Sequence, residues 1–145
     1  MLNHRKGSAT GGAEILGAHV EGPFISVLKK GAHKQDVFRT AKNGIQDFDE
    51  AYGSELKKGN KAVSIMTVAP EIEGVCDAIP DLVARGITVA MGHSACRIAD
   101  AEKAVTNGSN SITHLFNAMQ AVSIIFFICF VWKQVINFIH LVPSS

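Results

Sequence analysis

Very little in this chain is present in excess. Of 145 residues, 14 are Lys or Arg and 13 are Asp or Glu, leaving a formal net charge of +1. Without a basic surplus there is no electrostatic footprint for nucleic acid or an anionic surface, so no nucleic-acid partner is expected. Only three cysteines occur, Cys76, Cys96 and Cys129, widely spaced and without a CxxC pair. That argues against a disulfide framework or a zinc ribbon and suits a reducing compartment. Residues 1–12 are polar and small, with no apolar core behind their charges, so they do not read as a secretory signal and a cytoplasmic location is expected. What is present is an ordinary globular balance, 47% hydrophobic and 19% charged, over about one domain's length.

The exception is the C-terminal stretch. Between residues 121 and 142 lie half of the eight phenylalanines and the single Trp132, and Lys133 is the only Lys, Arg, Asp or Glu. Such a run approaches the ~20 residues that span a bilayer, but a lysine near its middle is costly there, and a membrane span is not expected. The stretch reads instead as sequence unrelated to what precedes it.

From residue 15 onward several segments share one grammar, in which an apolar, β-rich run gives way to small or polar residues and then to a helix-length amphipathic stretch. The runs are 15–21, 62–69, 86–92 and 111–116. Their nearly continuous apolar character predicts parallel strands covered on both faces. Between them, 71–85 carries Ile72, Val75, Ala78, Ile79, Leu82 and Val83 near a 3.6-residue period and predicts a helix, with Pro80 kinking or breaking it. Residues 97–106 repeat the pattern, and 45–58 predicts a further, weaker helix.

Consecutive βα units imply an open parallel sheet or a barrel, and the polar residues favour the barrel. Glu21, His93 and His114 each stand where an apolar strand ends. That is the edge on which (β/α)8 enzymes assemble their chemistry, and such a barrel takes about 250 residues. The fold expected here is α/β, about half of a (β/α)8 TIM barrel. A carboxylate with two imidazoles is a usual ligand set for a catalytic divalent metal that keeps one position for water. Spacing alone is weak support, and a histidine packed in a core is the ordinary alternative for each. Equivalent placement at three strand ends is what distinguishes them. His19, two residues before Glu21, points to the same side of its strand, as a supporting partner, an extra ligand or a packed interior histidine. Ser94 is read as a cap for the helix that follows, and Cys96 as a small buried residue at that helix's start.

The segments HVEGPF (19–24), KKGAH (29–33), GHS (92–94) and THLFNAM (113–119), in this order, resemble the N-acetylglucosamine-6-phosphate deacetylases of the amidohydrolase superfamily. The resemblance covers about residues 15–119. It implies that Glu21, His93 and His114 bind a divalent metal ion, usually zinc, and that His33 contacts substrate. It further implies that Asn117 and the backbone of Ala118 contact the sugar phosphate. The implied reaction is hydrolysis of N-acetylglucosamine 6-phosphate to glucosamine 6-phosphate and acetate, in amino-sugar catabolism, by a homodimer. Another amidohydrolase acting on a different amide is the alternative enzyme.

After Met119 the resemblance stops. The family's next stretch, with its phosphate-binding arginine, and the later strand that ends in the acid–base aspartate have no match in 120–145. The organisation expected is therefore an N-terminal segment 1–14, a partial barrel 15–119 and a divergent apolar tail 120–145. A chain so built is expected to be weakly active or inactive. Its alternative role is that of a non-catalytic piece that associates with a full-length subunit.

Overall fold

The four apolar runs become four parallel strands in one sheet. The computed structural model of the chain describes residues 15–57 and 62–115. In it β1 is Ala18–Glu21, β2 Val63–Val68, β3 Thr88–Met91 and β4 Ser111–Ile112, in the spatial order β1-β2-β3-β4. Three helices alternate with them, α1 at Ile45–Tyr52, α2 at Val75–Ala84 and α3 at Ile98–Thr106. The α/β class and the parallel sheet are as expected. The chain divides into two compact units, Met1–Thr113 and His114–Ser145. All these elements belong to the first, and of the second only His114 and Leu115 are described.

Register explains the core. Val20 pairs with Met66 and Met66 with Val89, while Glu21 pairs with Thr67 and Thr67 with Ala90. Because side chains alternate along a strand, Met66, Val68 and Val89 share one face. They join Val75, Ile79 and Leu82 of α2 and Phe48 of α1 in a buried cluster. There Phe24 stacks on Phe48, with ring centroids 3.8 Å apart. Cutting Leu82, fully buried, to Ala is worth about 2–5 kcal/mol in such a setting. The alternate face is mixed: polar His19, Glu21 and Thr67 stand beside apolar Ile65 and Ala90, and Thr67 and Ala90 are buried, so this second face is covered there without being wholly apolar.

Several boundaries differ from expectation. β1 begins at Ala18 rather than 15, because Ile15 and Leu16 are exposed and the β1–β2 register shifts between Ala18 and His19. α1 ends at Tyr52 and passes into a 3-10 turn, Gly53–Leu56. α2 starts at Val75 rather than 71, after a turn that ends in Gly74 at φ 78. A Cβ at Gly74 would sit 1.7 Å from the Ala41 carbonyl oxygen, so that close approach needs glycine. β4 stops at Ile112, two residues before His114, and the rest of its expected span past Leu115 lies outside the described residues.

Pro80 does not break α2, which runs continuously through it. A proline cannot donate to the carbonyl four residues earlier, here that of Cys76. The Asn107 side chain, just beyond α3, supplies that hydrogen bond instead, Nδ2 to Cys76 O at 2.7 Å. Ser94 does not cap α3. The helix starts after Arg97, whose backbone N–H donates to Asp100 Oδ2 at 3.0 Å. Among the described residues no helix is long and apolar enough to cross a membrane. The 121–142 run, the 1–14 segment, Asn117 and Ala118 lie outside them.

Candidate metal centre

Glu21 is the last residue of β1, His93 follows β3 by two residues and His114 follows β4 by two. The two histidines have φ of 48° and 59°, and among the described residues they alone combine a positive φ with a side chain. A left-handed conformation costs an L-residue roughly 1–2 kcal/mol. Strain of this kind persists where the surroundings impose it, which is commonly at functional sites.

The Glu21, His93 and His114 side chains each offer one ligand atom, and these atoms all lie within 4.8 Å of one another. His114 takes its place from its peptide bond to Thr113, whose N–H donates to Met91 O at 2.9 Å. His93 Nε2 is 3.0 Å from Glu21 Oε2, and His33 Nε2 is 3.2 Å from the same oxygen. The His33 and His93 rings meet edge to face, with centroids 4.9 Å apart.

The tautomer of His93 follows from its other nitrogen. Nδ1 lies 2.8 Å from the Lys29 carbonyl oxygen, which can only accept, so Nδ1 carries the proton. A neutral His93 then turns the Nε2 lone pair toward the Glu21 carboxylate, acceptor against acceptor. That approach needs positive charge, either a second proton on the ring or a cation between the two groups. A tetrahedral ion with bonds of about 2.0–2.1 Å holds its ligand atoms ~3.4 Å apart; the carboxylate–imidazole donor set suits such an ion, and the 3.0 Å between His93 Nε2 and Glu21 Oε2 is close to that spacing. An imidazole whose far nitrogen is anchored to a carbonyl is the usual arrangement behind a metal ligand.

Three further features support the strand ends, of which only His19 was considered from the sequence. Glu71, read as a helix start, instead reaches the loop after His93, where Oε2 accepts from Ser94 Oγ at 2.6 Å and Oε1 from Ala95 N–H at 2.5 Å. Tyr52 donates its hydroxyl to the carbonyl of Gly22, next to Glu21, and burial pushes its pKa up to about 12. His19 is hydrogen-bonded to Thr67 Oγ1 at 2.7 Å, and Thr67 Oγ1 to Thr113 Oγ1 at 2.6 Å. His19 is thus a supporting partner of the strand ends rather than a member of the three-residue group. Cys96 is outside that group as well, and burial raises its thiol pKa.

A parallel sheet with a carboxylate and two imidazoles at its strand ends is an arrangement able to hold a divalent metal ion. No protein-family model matches the chain. It is 49% identical over 109 residues to the N-acetylglucosamine-6-phosphate deacetylase of Danio rerio, a match that covers 74% of this chain and 26% of that one. The crystal structure of the Pasteurella multocida N-acetylglucosamine-6-phosphate deacetylase superposes with a TM-score of 0.61 at 33% identity, over 76% of this chain and 27% of that one. A variant of the Mycobacterium smegmatis enzyme, solved in complex with N-acetyl-D-glucosamine-6-phosphate, gives 0.59 at 35% identity, over 72% and 26%. Over about three quarters of its length the chain is homologous with the N-acetylglucosamine-6-phosphate deacetylases, and it spans about a quarter of the length of the curated relatives it matches.

Proposed function

We propose that this chain carries the metal-binding part of an N-acetylglucosamine-6-phosphate deacetylase, with Glu21, His93 and His114 as ligands of a divalent ion, zinc by preference. The observation that carries this reading is the placement of the His93 ring, with Nδ1 2.8 Å from the Lys29 carbonyl oxygen and Nε2 3.0 Å from the Glu21 carboxylate. Bound there, the ion supplies a water acidic enough to deprotonate near neutral pH and polarises the acetyl carbonyl. Glu21 contributes the one negative charge of the set, and the Lys29 carbonyl keeps the His93 ring from turning. His33, beside Glu21, is available to contact the substrate, while the Asn117 amide and the Ala118 backbone N–H suit phosphate oxygens. The sheet is, on this reading, about half of a (β/α)8 barrel. The complete protein is assigned to the cytoplasm, as a homodimer acting on N-acetylglucosamine 6-phosphate.

None of these 145 residues matches the acid–base aspartate that would protonate the leaving amine. General acid–base catalysis is worth about 10²- to 10⁴-fold. A polypeptide of these residues alone is therefore proposed to be a poor catalyst or inactive. Two measurements test the reading. Purified chain is compared with a His93→Ala, His114→Ala double variant for zinc content, where equal content removes the metal site. Titration with the phosphorylated and unphosphorylated sugar should favour the phosphorylated one, and acetate release at a complete relative's rate would overturn the inactivity.

A further inference from the structure

Thr67 and Thr113 are two strands apart. Thr67 belongs to β2 and Thr113 follows β4, so β3 runs between them. In a flat sheet, residues on strands two apart are roughly 9.5 Å from each other. Two threonine side chains and one hydrogen bond cannot bridge that gap, yet the hydroxyl oxygens are 2.6 Å apart. The strand ends therefore curve toward the face that carries both side chains. The room comes from Gly92, directly after β3, where a Cβ would lie 2.8 Å from Thr113 Cβ and 2.8 Å from Thr67 Cγ2. The missing side chain lets the two hydroxyls meet. Both threonines are buried, and Thr67 Oγ1 is also hydrogen-bonded to the His19 ring.

Each member adjoins a residue of the metal centre. Thr67 pairs in register with Glu21, Gly92 precedes His93 and Thr113 precedes His114. We propose that the Thr67–Thr113 hydroxyl pair, closed over Gly92, is a positioning device that draws the three strand ends together and so sets the spacing of Glu21, His93 and His114. This rests on the metal-centre reading above. The threonines touch no reacting atom and act through the backbone. A buried hydroxyl that loses its partner is costly to leave unpaired, so the pair resists separation. Partners that orient ligands from behind typically change metal affinity by 10- to 100-fold when removed.

The test uses the full 145-residue chain, with zinc affinity read by competition against a chelator and Co²⁺ bound as a spectroscopic probe of geometry. Thr113→Val and Thr67→Val keep shape and remove a hydroxyl. Each should weaken zinc by about tenfold or more and shift the Co²⁺ visible bands. Thr113→Ser, which restores the hydroxyl, should return affinity to within about threefold. The double valine variant should be no weaker than the weaker single one, because the hydroxyl–hydroxyl bond is already lost in each and only Thr67→Val also gives up the His19 contact. Gly92→Ala, which wedges the pair apart, should reproduce the loss. Thermal unfolding without metal accompanies each variant, and a valine variant that melts like the reference while losing zinc marks positioning rather than general instability. Valine variants with reference zinc affinity and an unchanged Co²⁺ spectrum would overturn the proposal and leave the metal centre standing. A reference chain that binds neither ion would overturn the metal-centre reading itself.

Discussion

His93 Nδ1 donates to the Lys29 carbonyl at 2.8 Å and its Nε2 faces Glu21 Oε2 at 3.0 Å, while its backbone sits at φ 48°. The ring contacts and the backbone strain oppose each other, and substitutions separate them. His93→Ala removes the ring and keeps the strained L-residue, whereas His93→Gly removes both. The glycine variant should therefore be more stable than the alanine variant by about 1 kcal/mol. Urea unfolding of both, in chelator, measures the difference, and an alanine variant that equals or exceeds the glycine one contradicts the strain.

The bond from Asn107 to the Cys76 carbonyl predicts an energetic coupling to Pro80. With Pro80 in place, Asn107→Ala leaves that carbonyl without its replacement partner and should cost about 1–2 kcal/mol. In a Pro80→Ala background the helix recovers its own donor, and the same change should cost roughly half as much or less. Denaturation midpoints of the four chains close the cycle, and strictly additive costs would exclude the compensation.

This pair also marks the limit of what the sequence reveals. The helix over 71–85 was legible from its 3.6-residue period, and Pro80 from its chemistry, but the partner that makes Pro80 tolerable lies 31 residues beyond Cys76. Glu71 was misread for the same reason, since its side chain serves a loop after the next strand. Glu21, His93 and His114 were legible because each polar residue interrupts an apolar run where a parallel strand ends, a local signal. The hydroxyl pair of Thr67 and Thr113 leaves no such signal, because threonine in a strand is ordinary. His33 stood out only through its motif, and its closeness to Glu21 is set by the turns between residues 26 and 33.

Acid should weaken the fold partly through Asp49. Hydrogen bonds from the Arg85 guanidinium, one of them Nη2 to Oδ2 at 2.9 Å, hold the Asp49 carboxyl below its ordinary range, with desolvation opposing. A carboxyl whose folded pKa is depressed contributes stability that is fully present above its unfolded value, about 3.9. That contribution is lost as pH falls through the folded value. The stability gap between the reference chain and Asp49→Asn should therefore narrow between about pH 5 and pH 2. Urea midpoints over that interval check it, and a gap independent of pH would mean that the ion pair contributes nothing that titrates.

Glu71 yields the most direct test of how the loop after β3 supports the metal centre. Its carboxylate accepts from the Ser94 hydroxyl and the Ala95 N–H, immediately after the left-handed His93. A residue kept at positive φ against a cost of roughly 1–2 kcal/mol relaxes once its neighbours are released. Glu71→Ala removes both anchors and should weaken zinc binding by about tenfold, with little effect on helix content. Ser94→Ala removes one of the two and should do less. Hydrogen exchange at the Ala95 amide gives the structural readout, being slow in the reference chain and fast in Glu71→Ala. Should the Ala95 amide stay protected, or zinc affinity stay at the reference value once that protection is lost, Glu71 is not what holds His93 in place.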